Sequence, residues 1–128
     1  MAWPGFLAVG IGAMLGAWLR WALSHALNPV FPTVPLGTLA SNLVGGFLVG
    51  VAIGFFNQHP GLPPEARLAL VTGFLGGLTT FSTFSAEVVI LIARQQFGWA
   101  LGTVSLHLIG SLLLTALGYA AVRLIMSG

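Results

Sequence analysis

The residues best suited to bind or react lie in one stretch, Thr72–Glu87, inside an apolar segment long enough to cross a bilayer. Two adjacent glycines lie at its middle. Because a glycine destabilises a helix interior by about 1 kcal/mol relative to alanine, the sequence predicts a helix break at Gly76–Thr79. Irregular backbone at membrane depth persists only where protein or a wet cavity surrounds it. The stretch therefore predicts a binding or permeation site within the membrane.

Aromatic, hydroxyl and carboxylate side chains follow this predicted break. Phe81 and Phe84 are three residues apart, which places them on one helix face. Hydroxyl groups and one carboxylate accompany them, namely Thr80, Ser82, Thr83 and Glu87. Serine and threonine in membrane helices often only bond back to their own backbone, and phenylalanine often only packs. Each residue alone has that ordinary explanation, but their combination favours an ion or ligand path.

The composition indicates an integral membrane protein. Of the 128 residues, 57% are hydrophobic and 5% are charged, and the mean hydropathy is +1.02. Soluble domains carry about 25% charged residues. The sequence lacks cysteine, and its six charged side chains give no basis for nucleic-acid binding. A nucleophile–base pair, a phosphate loop and a metal cluster are all missing from its pattern, so we expect no enzyme activity.

Four segments reach the roughly 20 apolar residues that a spanning helix needs. They run approximately over Trp3–Leu27, Leu36–Phe56, Glu65–Ile92 and Trp99–Ile125. A signal peptide is the competing interpretation of the first segment, but no lysine or arginine precedes its apolar run. We therefore expect an all-α, multi-pass chain that forms a single four-helix transmembrane domain over residues 1–128.

Polar side chains also lie on the second and fourth segments. Asn42 lies one turn after Thr38 and continues a row of glycines, and its amide could bond a neighbouring helix or donate to an anion. His107 belongs to a stripe that repeats every four residues and includes Ser111. Its ring could carry a proton, donate to an anion or bond a neighbouring helix. Such residues face the bundle interior or a cavity.

The arginines are evenly divided between the two sides of the membrane. Arg67 and Arg123 flank one side, and Arg20 and Arg94 lie toward the other. The positive-inside rule then gives no preferred orientation. Two oppositely oriented copies could pair about an axis in the membrane plane. The contact would be made by the glycine faces of the first and second segments, namely Gly12, Gly16, Gly46, Gly50 and Gly54. Arg20 could simply snorkel to the interface, or it could raise the positive potential at an anion entrance.

The central motif resembles that of a known family. The sequence GGLTTFSTFS at Gly76–Ser85 is similar to the signature of the Fluc/CrcB family of fluoride channels. GTLASN, ahead of the glycine-rich part of the second segment, also fits, and the resemblance extends over nearly the whole chain. It implies a passive fluoride-selective channel, with fluoride, a second antiparallel copy and membrane lipid as partners. The expected location is the plasma membrane, which is the inner membrane in bacteria.

The resemblance also assigns roles to residues. It implies that an antiparallel homodimer contains two pores, each built from both copies. Asn42 matches the pore-lining asparagine of the family, and a functional role for Arg20 is favoured. Donors to fluoride would be the Asn42 amide, the hydroxyls of Thr83 and Ser111, and the electropositive ring edges of Phe81 and Phe84. Together the expected fluoride path comprises Asn42, Thr80, Phe81, Ser82, Thr83, Phe84, Glu87, His107 and Ser111.

Unwinding a helix in the membrane frees backbone carbonyls, which need a partner. Water, a partner helix or a hard monovalent cation could satisfy them, since hard cations prefer oxygen ligands. The resemblance implies a structural Na⁺ at the dimer axis, held by the backbone carbonyls of Gly76 and Thr79 from both copies. Glu87 is unusual beside an anion path, and the sequence leaves open whether it is protonated or bonded to Thr83.

Two other functions fit parts of the pattern. A small dual-topology multidrug exporter, coupled to protons, would have the same size, four spans and charge balance. Such exporters resemble one another in a glutamate within the first helix, which here contains no carboxylate. A non-transporting assembly subunit would explain the glycine faces, but not Asn42, the phenylalanine pair and the fourth-segment stripe together.

Overall fold

A computed structural model describes residues 2–127. Within that range the chain consists of helices and turns, without a strand. We name the helices α1 (Trp3–Leu27), α2 (Leu36–Gln58), α3 (residues 64–78), α4 (Phe81–Ala93) and α5 (Phe97–Ser127). Four stretches are long and apolar enough to cross a membrane, with α3 and α4 together forming the third. This confirms the all-α architecture with four predicted spans, whose ends differ by a few residues from the expected ones.

A single asparagine joins the end of α1 to the start of α2. The Asn28 side-chain oxygen accepts hydrogen bonds from the backbone N–H groups of Gly37, at 2.7 Å, and Thr38, at 3.1 Å. Both groups lie in the first turn of α2, where a helix has no intrahelical acceptors for its donors. Pro35, at the N-cap position, supplies no side-chain cap. Asn28 therefore caps a helix that begins several residues further along the chain.

The third span changes conformation along its length. It begins as α-helix at Pro64–Arg67, widens to a π-helix over Leu68–Leu75 and closes again at Gly76–Leu78. Thr79 (φ −87°, ψ 155°) and Thr80 (φ −146°, ψ 120°) are extended. The helical conformation of Gly76–Leu78 differs from the expected break at Gly76–Thr79. The extended residues are β-branched threonines, which suit extended backbone better than helix.

The two threonines also terminate the flanking helices. The Thr79 hydroxyl donates to the Leu75 carbonyl at 2.9 Å, at the end of α3. The Thr80 hydroxyl oxygen accepts from the Thr83 N–H at 3.1 Å and so caps the start of α4. Such a cap stabilises a helix by about 1 kcal/mol. Local side chains therefore hold the two helix ends beside the extended residues.

Glycines bring α1 and α3 into backbone contact. A Cβ atom added to Gly16 would collide with the Phe74 carbonyl oxygen and lie 2.8 Å from the Leu78 nitrogen. A Cβ atom on Gly77 would collide with the Ala13 carbonyl oxygen. Small residues that permit such approach are typical of membrane helix interfaces. The two helices therefore pack through reciprocal glycine contacts.

The same kind of contact joins α2 to α5. A Cβ atom on Gly50 would collide with the Thr115 carbonyl oxygen, and one on Gly118 would lie 3.0 Å from the Val51 nitrogen. We expected the glycine faces to hold two copies of the chain together. Five glycines of the first and second helices are instead buried against helices of the same chain, namely Gly12, Gly16, Gly46, Gly50 and Gly54. These faces are therefore occupied before any second copy arrives.

The interior is small and polar, while the outside is apolar. Leu78 is fully buried, and so are the hydroxyl residues Thr38, Ser41 and Thr103. Large apolar side chains point outward along every span, among them Phe6, Trp18, Leu101, Leu113 and Ile125. This distribution suits a lipid environment, because close packing and polar contacts rather than apolar burial hold membrane helices together.

The glycine contacts lead to a first expectation about stability. Gly16→Ala places a methyl group against the α3 backbone, which cannot move as a flexible side chain can. Overpacking of this kind costs about 1–3 kcal/mol, so we expect a lower melting temperature in detergent, followed by tryptophan fluorescence.

Gly10→Ala is the matched control, because a Cβ atom at Gly10 of the same helix has nothing within 4 Å. We expect its melting temperature to stay at or slightly above that of the unsubstituted chain, since alanine favours helix. Equal melting temperatures for the two variants would contradict the backbone contact between α1 and α3.

Candidate functional site

The extended backbone at Thr80 is paired with the side chain of Asn42. The Thr80 N–H donates to the Asn42 Oδ1 atom at 2.7 Å, and the Asn42 Nδ2 atom donates to the Thr80 carbonyl at 3.0 Å. A backbone N–H can only donate, so the amide oxygen must face it. Both polar groups of one peptide residue are thus satisfied by one amide, as in a strand ladder. In a membrane, where an unsatisfied backbone group costs several kcal/mol, this pairing stabilises the interruption.

Asn42 has a third contact, to His107 on α5. The Asn42 Nδ2 atom lies 2.9 Å from the His107 Nδ1 atom. With one N–H directed at the Thr80 carbonyl and one at this ring, the Asn42 amide has both of its protons engaged. The Asn42 side chain thus joins α2, α5 and the break in the third span, which is formed by the extended residues Thr79 and Thr80. Within one chain, it offers no spare N–H of the kind that we expected to face an anion.

Two phenylalanines extend the site from the break to His107. The rings of Phe81 and Phe84 lie 5.7 Å apart, and the Phe84 ring lies 4.6 Å from the His107 ring. Their environments differ, since Phe84 is half-buried and Phe81 is 77% exposed. Phe84 therefore belongs to the interior of one chain. Phe81 points outward from it.

An open cleft of about 410 Å³ lies beside the break. Polar and small residues make up most of its lining, which includes four expected path residues and both expected cation ligands. These six are Asn42, Thr80, Phe81, Ser111, Gly76 and Thr79. Since Thr79 lies near the middle of a 30-residue span, the cleft opens at membrane depth.

The hydroxyl stripe on α5 is mainly bonded to backbone. Thr103 donates to the Trp99 carbonyl at 2.9 Å, Ser111 donates to the His107 carbonyl, and Thr115 donates to the Gly46 carbonyl at 2.7 Å. The bonds of Thr103 and Ser111 to the carbonyl four residues earlier are ordinary for hydroxyls in membrane helices, whereas that of Thr115 crosses to α2. The proton of Ser111 is therefore engaged, although its residue lines the cleft. Ser82 is exposed and Thr83 is half-buried on α4.

Glu87 is bonded to α2 rather than to its own helix. The Thr38 hydroxyl donates to the Glu87 Oε2 atom at 2.7 Å, across 49 residues of sequence. The sequence had suggested Thr83 as a partner, one turn earlier on the same helix. Glu87 and Arg94 share a second cleft of about 300 Å³.

Arg20 reaches the break from α1. Its Nε atom donates to the Gly77 carbonyl at 3.0 Å, and the residue is half-buried. Gly77 lies in the last turn of α3, where carbonyls lose their helical partners and a positive charge is favoured by the helix dipole. The sequence offered a snorkelling arginine or a charge at an anion entrance. The observed contact gives Arg20 a bonding partner at the interruption itself.

The carbonyls around the break can now be accounted for. The Thr79 N–H and hydroxyl take the Leu75 carbonyl, Arg20 takes that of Gly77, and Asn42 takes that of Thr80. Within residues 2–127, no donor contacts the carbonyls of Gly76 or Thr79. Those are the two carbonyls at which the family resemblance implies a cation, and oxygen atoms are the ligands that hard cations prefer.

Three buried side-chain atoms lack hydrogen-bond partners in the described part of the chain. They are Ser41 Oγ, Glu87 Oε1 and His107 Nε2. All three lie where α2, α4 and α5 meet, and leaving such atoms unpaired is unfavourable by about 1–3 kcal/mol each. We did not expect Thr38 or Ser41 in the site. Their place in the motif GTLASN, within one turn of Asn42, was the available signal.

The fold and the site together define a class of protein. The described residues form four apolar spans, the third of which is interrupted, and a seam of three buried, unpaired polar atoms lies between the helices. This arrangement is that of a small multi-pass membrane protein with polar side chains buried between its helices.

The chain belongs to the CrcB family. The family model described as CrcB-like protein, Camphor Resistance (CrcB), matches residues 7–119. This confirms the family resemblance that the central motif indicated.

Relatives with high identity cover almost the whole chain. A protein of Pseudomonas putida (strain W619) is 62% identical over 114 residues, which is 89% of this chain and 90% of the relative. One of Ralstonia pickettii (strain 12J) is 62% identical over 123 residues, with 96% and 98% covered. One of Cupriavidus taiwanensis is 60% identical over 121 residues, with 94% and 96% covered. Each of these relatives is named a fluoride-specific ion channel, FluC.

Proposed function

We propose that this chain is a fluoride-selective channel through which fluoride leaves the cell passively. The names of its relatives support this function, and one structural observation carries it. Three unpartnered polar atoms lie in the seam between α2, α4 and α5, with Phe84 packed against His107 in the same place. Polar groups buried in a membrane protein are rare and mark the paths of ions or protons.

The chemistry of the seam suits a small anion. Fluoride holds its hydration water tightly, so a selective path must replace that water with donors. N–H groups, hydroxyls and the electropositive edges of aromatic rings can do so, whereas carbonyl oxygens and ring faces repel the ion. Phe81 and Phe84 contribute ring edges in this proposal. The path comprises Asn42, Thr80, Ser82, Thr83, Glu87, His107 and Ser111 along with the two rings, and Arg20 attracts anions toward it.

A second copy of the chain completes the pathway. In a lone chain, the cleft beside Gly76 and Thr80 would open its polar lining toward lipid, which is unfavourable. Phe81, at 77% exposure, lies on the rim of the same cleft. An oppositely oriented copy, related by an axis in the membrane plane, would cover both. The balanced arginines favour this antiparallel homodimer with two pores, since neither orientation of a chain is preferred.

The membrane potential supplies the driving force. With the cell interior negative, moving one negative charge outward across 100 mV is favourable by about 2.3 kcal/mol. The path therefore needs no coupling ion. The location that this requires is the plasma membrane, which in a bacterium is the inner membrane.

A structural Na⁺ completes the dimer in this proposal. The carbonyls of Gly76 and Thr79 have no donors in the described chain and line the cleft that the second copy would cover. Two such carbonyls from each copy would surround a cation on the axis. Bound there, the ion supplies positive charge that satisfies the freed carbonyls, while Arg20 does the same for Gly77 within each chain.

Flux measurements with phenylalanine variants test the central proposal. The unsubstituted protein in liposomes should release fluoride, read with a fluoride electrode, and retain chloride. Phe81→Ile or Phe84→Ile keeps an apolar side chain but removes the polarised ring edge, so we expect fluoride flux to fall by about tenfold or more, as for loss of a contact worth 1.4 kcal/mol.

Phe6→Ile provides the control, because Phe6 is an exposed phenylalanine on α1, away from the cleft. Its flux should match that of the unsubstituted protein. Undiminished flux in both Phe81→Ile and Phe84→Ile would remove the rings from the account. No fluoride release by the unsubstituted protein would reject the channel function.

The orientation proposal has its own test. We expect a C-terminal tag on the natural chain to be accessible from both faces of the membrane. Added lysines in the loop before Pro64 should bias one orientation and lower flux, while co-expression with an oppositely biased chain should restore it. A tag found on one face only in the natural chain would rule out dual topology.

A substitution at Gly76 distinguishes the proposed cation site between chains from packing within one chain. A Cβ atom on Gly76 would meet nothing nearer than the Val71 carbonyl oxygen at 3.8 Å, so each chain tolerates a small side chain there. We expect Gly76→Val to leave the helix content unchanged but to weaken the dimer and its flux. Thr79→Ser retains the same backbone carbonyl and should be mild. Flux that is indifferent to complete replacement of Na⁺ by a large organic cation would contradict the site.

A further inference from the structure

Two neighbouring phenylalanines at the end of α2 each hold one basic side chain. The Cζ atom of Arg67, on α3, lies 5.4 Å from the centre of the Phe56 ring. The His59 ring stacks on the Phe55 ring with 4.3 Å between their centres, and its Nδ1 atom donates to the Phe55 carbonyl at 3.0 Å. The two phenylalanine rings meet edge to face, 5.6 Å apart. The aromatic pair therefore positions a guanidinium and an imidazole beside each other.

A cleft of about 430 Å³ lies at this aromatic pair, between the end of α2 and the start of α3. We call it the interfacial cleft. Arg67, His59 and Asn57 supply its polar lining, and Phe56, one leucine and three prolines complete it. None of these lining residues is acidic. The interfacial cleft thus offers positive charge and hydrogen-bonding groups without a carboxylate.

Arg67 has no carboxylate side chain as a partner within residues 2–127. The chain contains only two such side chains, Glu65 and Glu87. Glu65 precedes Arg67 by two residues, and residues at that spacing do not face each other on a helix. Glu87 is bonded to Thr38, near the opposite end of α2 from Phe56. The guanidinium is therefore positioned over a ring but has no internal counterion.

The interfacial cleft lies at the depth of the lipid headgroups. The third span comprises 30 residues, Pro64–Ala93. At about 1.5 Å per residue it reaches about 45 Å, the thickness of the hydrocarbon core with both headgroup layers. Arg67 lies within the first turn of this span, and its side chain is exposed. At that depth the anions available to an arginine are the phosphates of membrane lipids.

We propose that the interfacial cleft binds the phosphate group of an anionic phospholipid, with Arg67 as its main ligand. A planar guanidinium can bond two phosphate oxygens at once. Inorganic phosphate has the same chemistry, but the depth of the cleft favours the lipid. This inference goes beyond the proposed ion transport, and binding can be measured without any flux.

The lining also indicates which headgroup the interfacial cleft accepts. A headgroup with an ammonium would bring a second positive charge beside Arg67, and the lining residues include no carboxylate to receive it. A glycerol headgroup carries hydroxyls instead. These would bond to the Asn57 amide and to the His59 Nε2 atom, which forms no hydrogen bond within residues 2–127. Phosphatidylglycerol therefore fits better than phosphatidylcholine.

Lipid titration of the purified full-length protein in detergent tests the site. A ligand of the folded state raises the melting temperature as its concentration rises. We expect phosphatidylglycerol to raise it, and phosphatidylcholine or inorganic phosphate at the same concentration to raise it much less. An equal effect of phosphatidylcholine would overturn the proposal. An equal effect of inorganic phosphate would overturn the lipid as the source of the phosphate group.

Variants of the interfacial cleft test the role of each residue. We expect Arg67→Gln to raise the half-saturating concentration of phosphatidylglycerol about tenfold to a hundredfold, the range for hydrogen bonds to a charged group. Arg67→Lys keeps the charge but loses the planar fork, so it should show part of that loss. Phe56→Leu removes the ring beneath the guanidinium and should weaken binding about two- to fivefold.

Arg123→Gln is the matched control. Arg123 is an exposed arginine on the same side of the membrane, positioned over the Tyr119 ring and outside the cleft. Its substitution removes the same charge and should leave lipid binding unchanged. Each shift is taken from the lipid-free melting temperature of the same variant, so a difference in fold stability does not enter. Equal losses in Arg67→Gln and Arg123→Gln would reject the site in favour of a general attraction to basic residues.

Discussion

The pairing of the Asn42 amide with the backbone of Thr80 is the contact on which the rest of the site depends. Extended backbone in the middle of a membrane presents N–H and C=O groups that lipid cannot satisfy. One carboxamide on α2 supplies a matching donor and acceptor. Thr79 and Arg20 take two of the remaining carbonyls. Because these bonds satisfy its polar groups, the third span can contain extended backbone between two helices and remain folded in the membrane.

That pairing requires α2 to lie close to the break, and glycine makes this approach possible. A Cβ atom on Gly45 would collide with the Thr79 side chain, so the absence of one lets the extended segment reach Asn42. On the other side, Gly50 and Gly118 let α2 rest against the backbone of α5, which carries His107. The small residues therefore set the distances between helices. At these short distances the few polar side chains can form hydrogen bonds from one helix to the next.

The local pattern was sufficient to predict the four spans, and it named some of the residues that the fold brings together. α1 has the bounds that its apolar run predicted, and Asn42, Thr80, Phe81 and Ser111 line one cleft. The partners of these residues could not be predicted, because they depend on which helices are neighbours. Glu87 is bonded to Thr38 on another helix rather than to Thr83 on its own. Spacing within a helix predicts a shared face but does not reveal what that face meets.

The assignment of the glycine rows failed for the same reason. A row of glycines indicates that backbone approaches backbone, whether the partner belongs to the same chain or to another. In this chain the partners of the buried glycines are internal. A sequence with glycines on several helices cannot by itself say which of those helices pack against one another.

The principal helix pairings alternate along the chain, α1 with α3 and α2 with α5, and this has a consequence for biogenesis. During synthesis, α2 enters the bilayer well before its main partner exists. For Asn42, the partner Thr80 is made 38 residues later and the partner His107 65 residues later, at roughly 5–20 residues per second. For several seconds its amide is a polar group in need of any partner, including a lipid headgroup or the insertion machinery. The contact of Asn42 with His107 thus forms only after α5, the last helix, has been inserted.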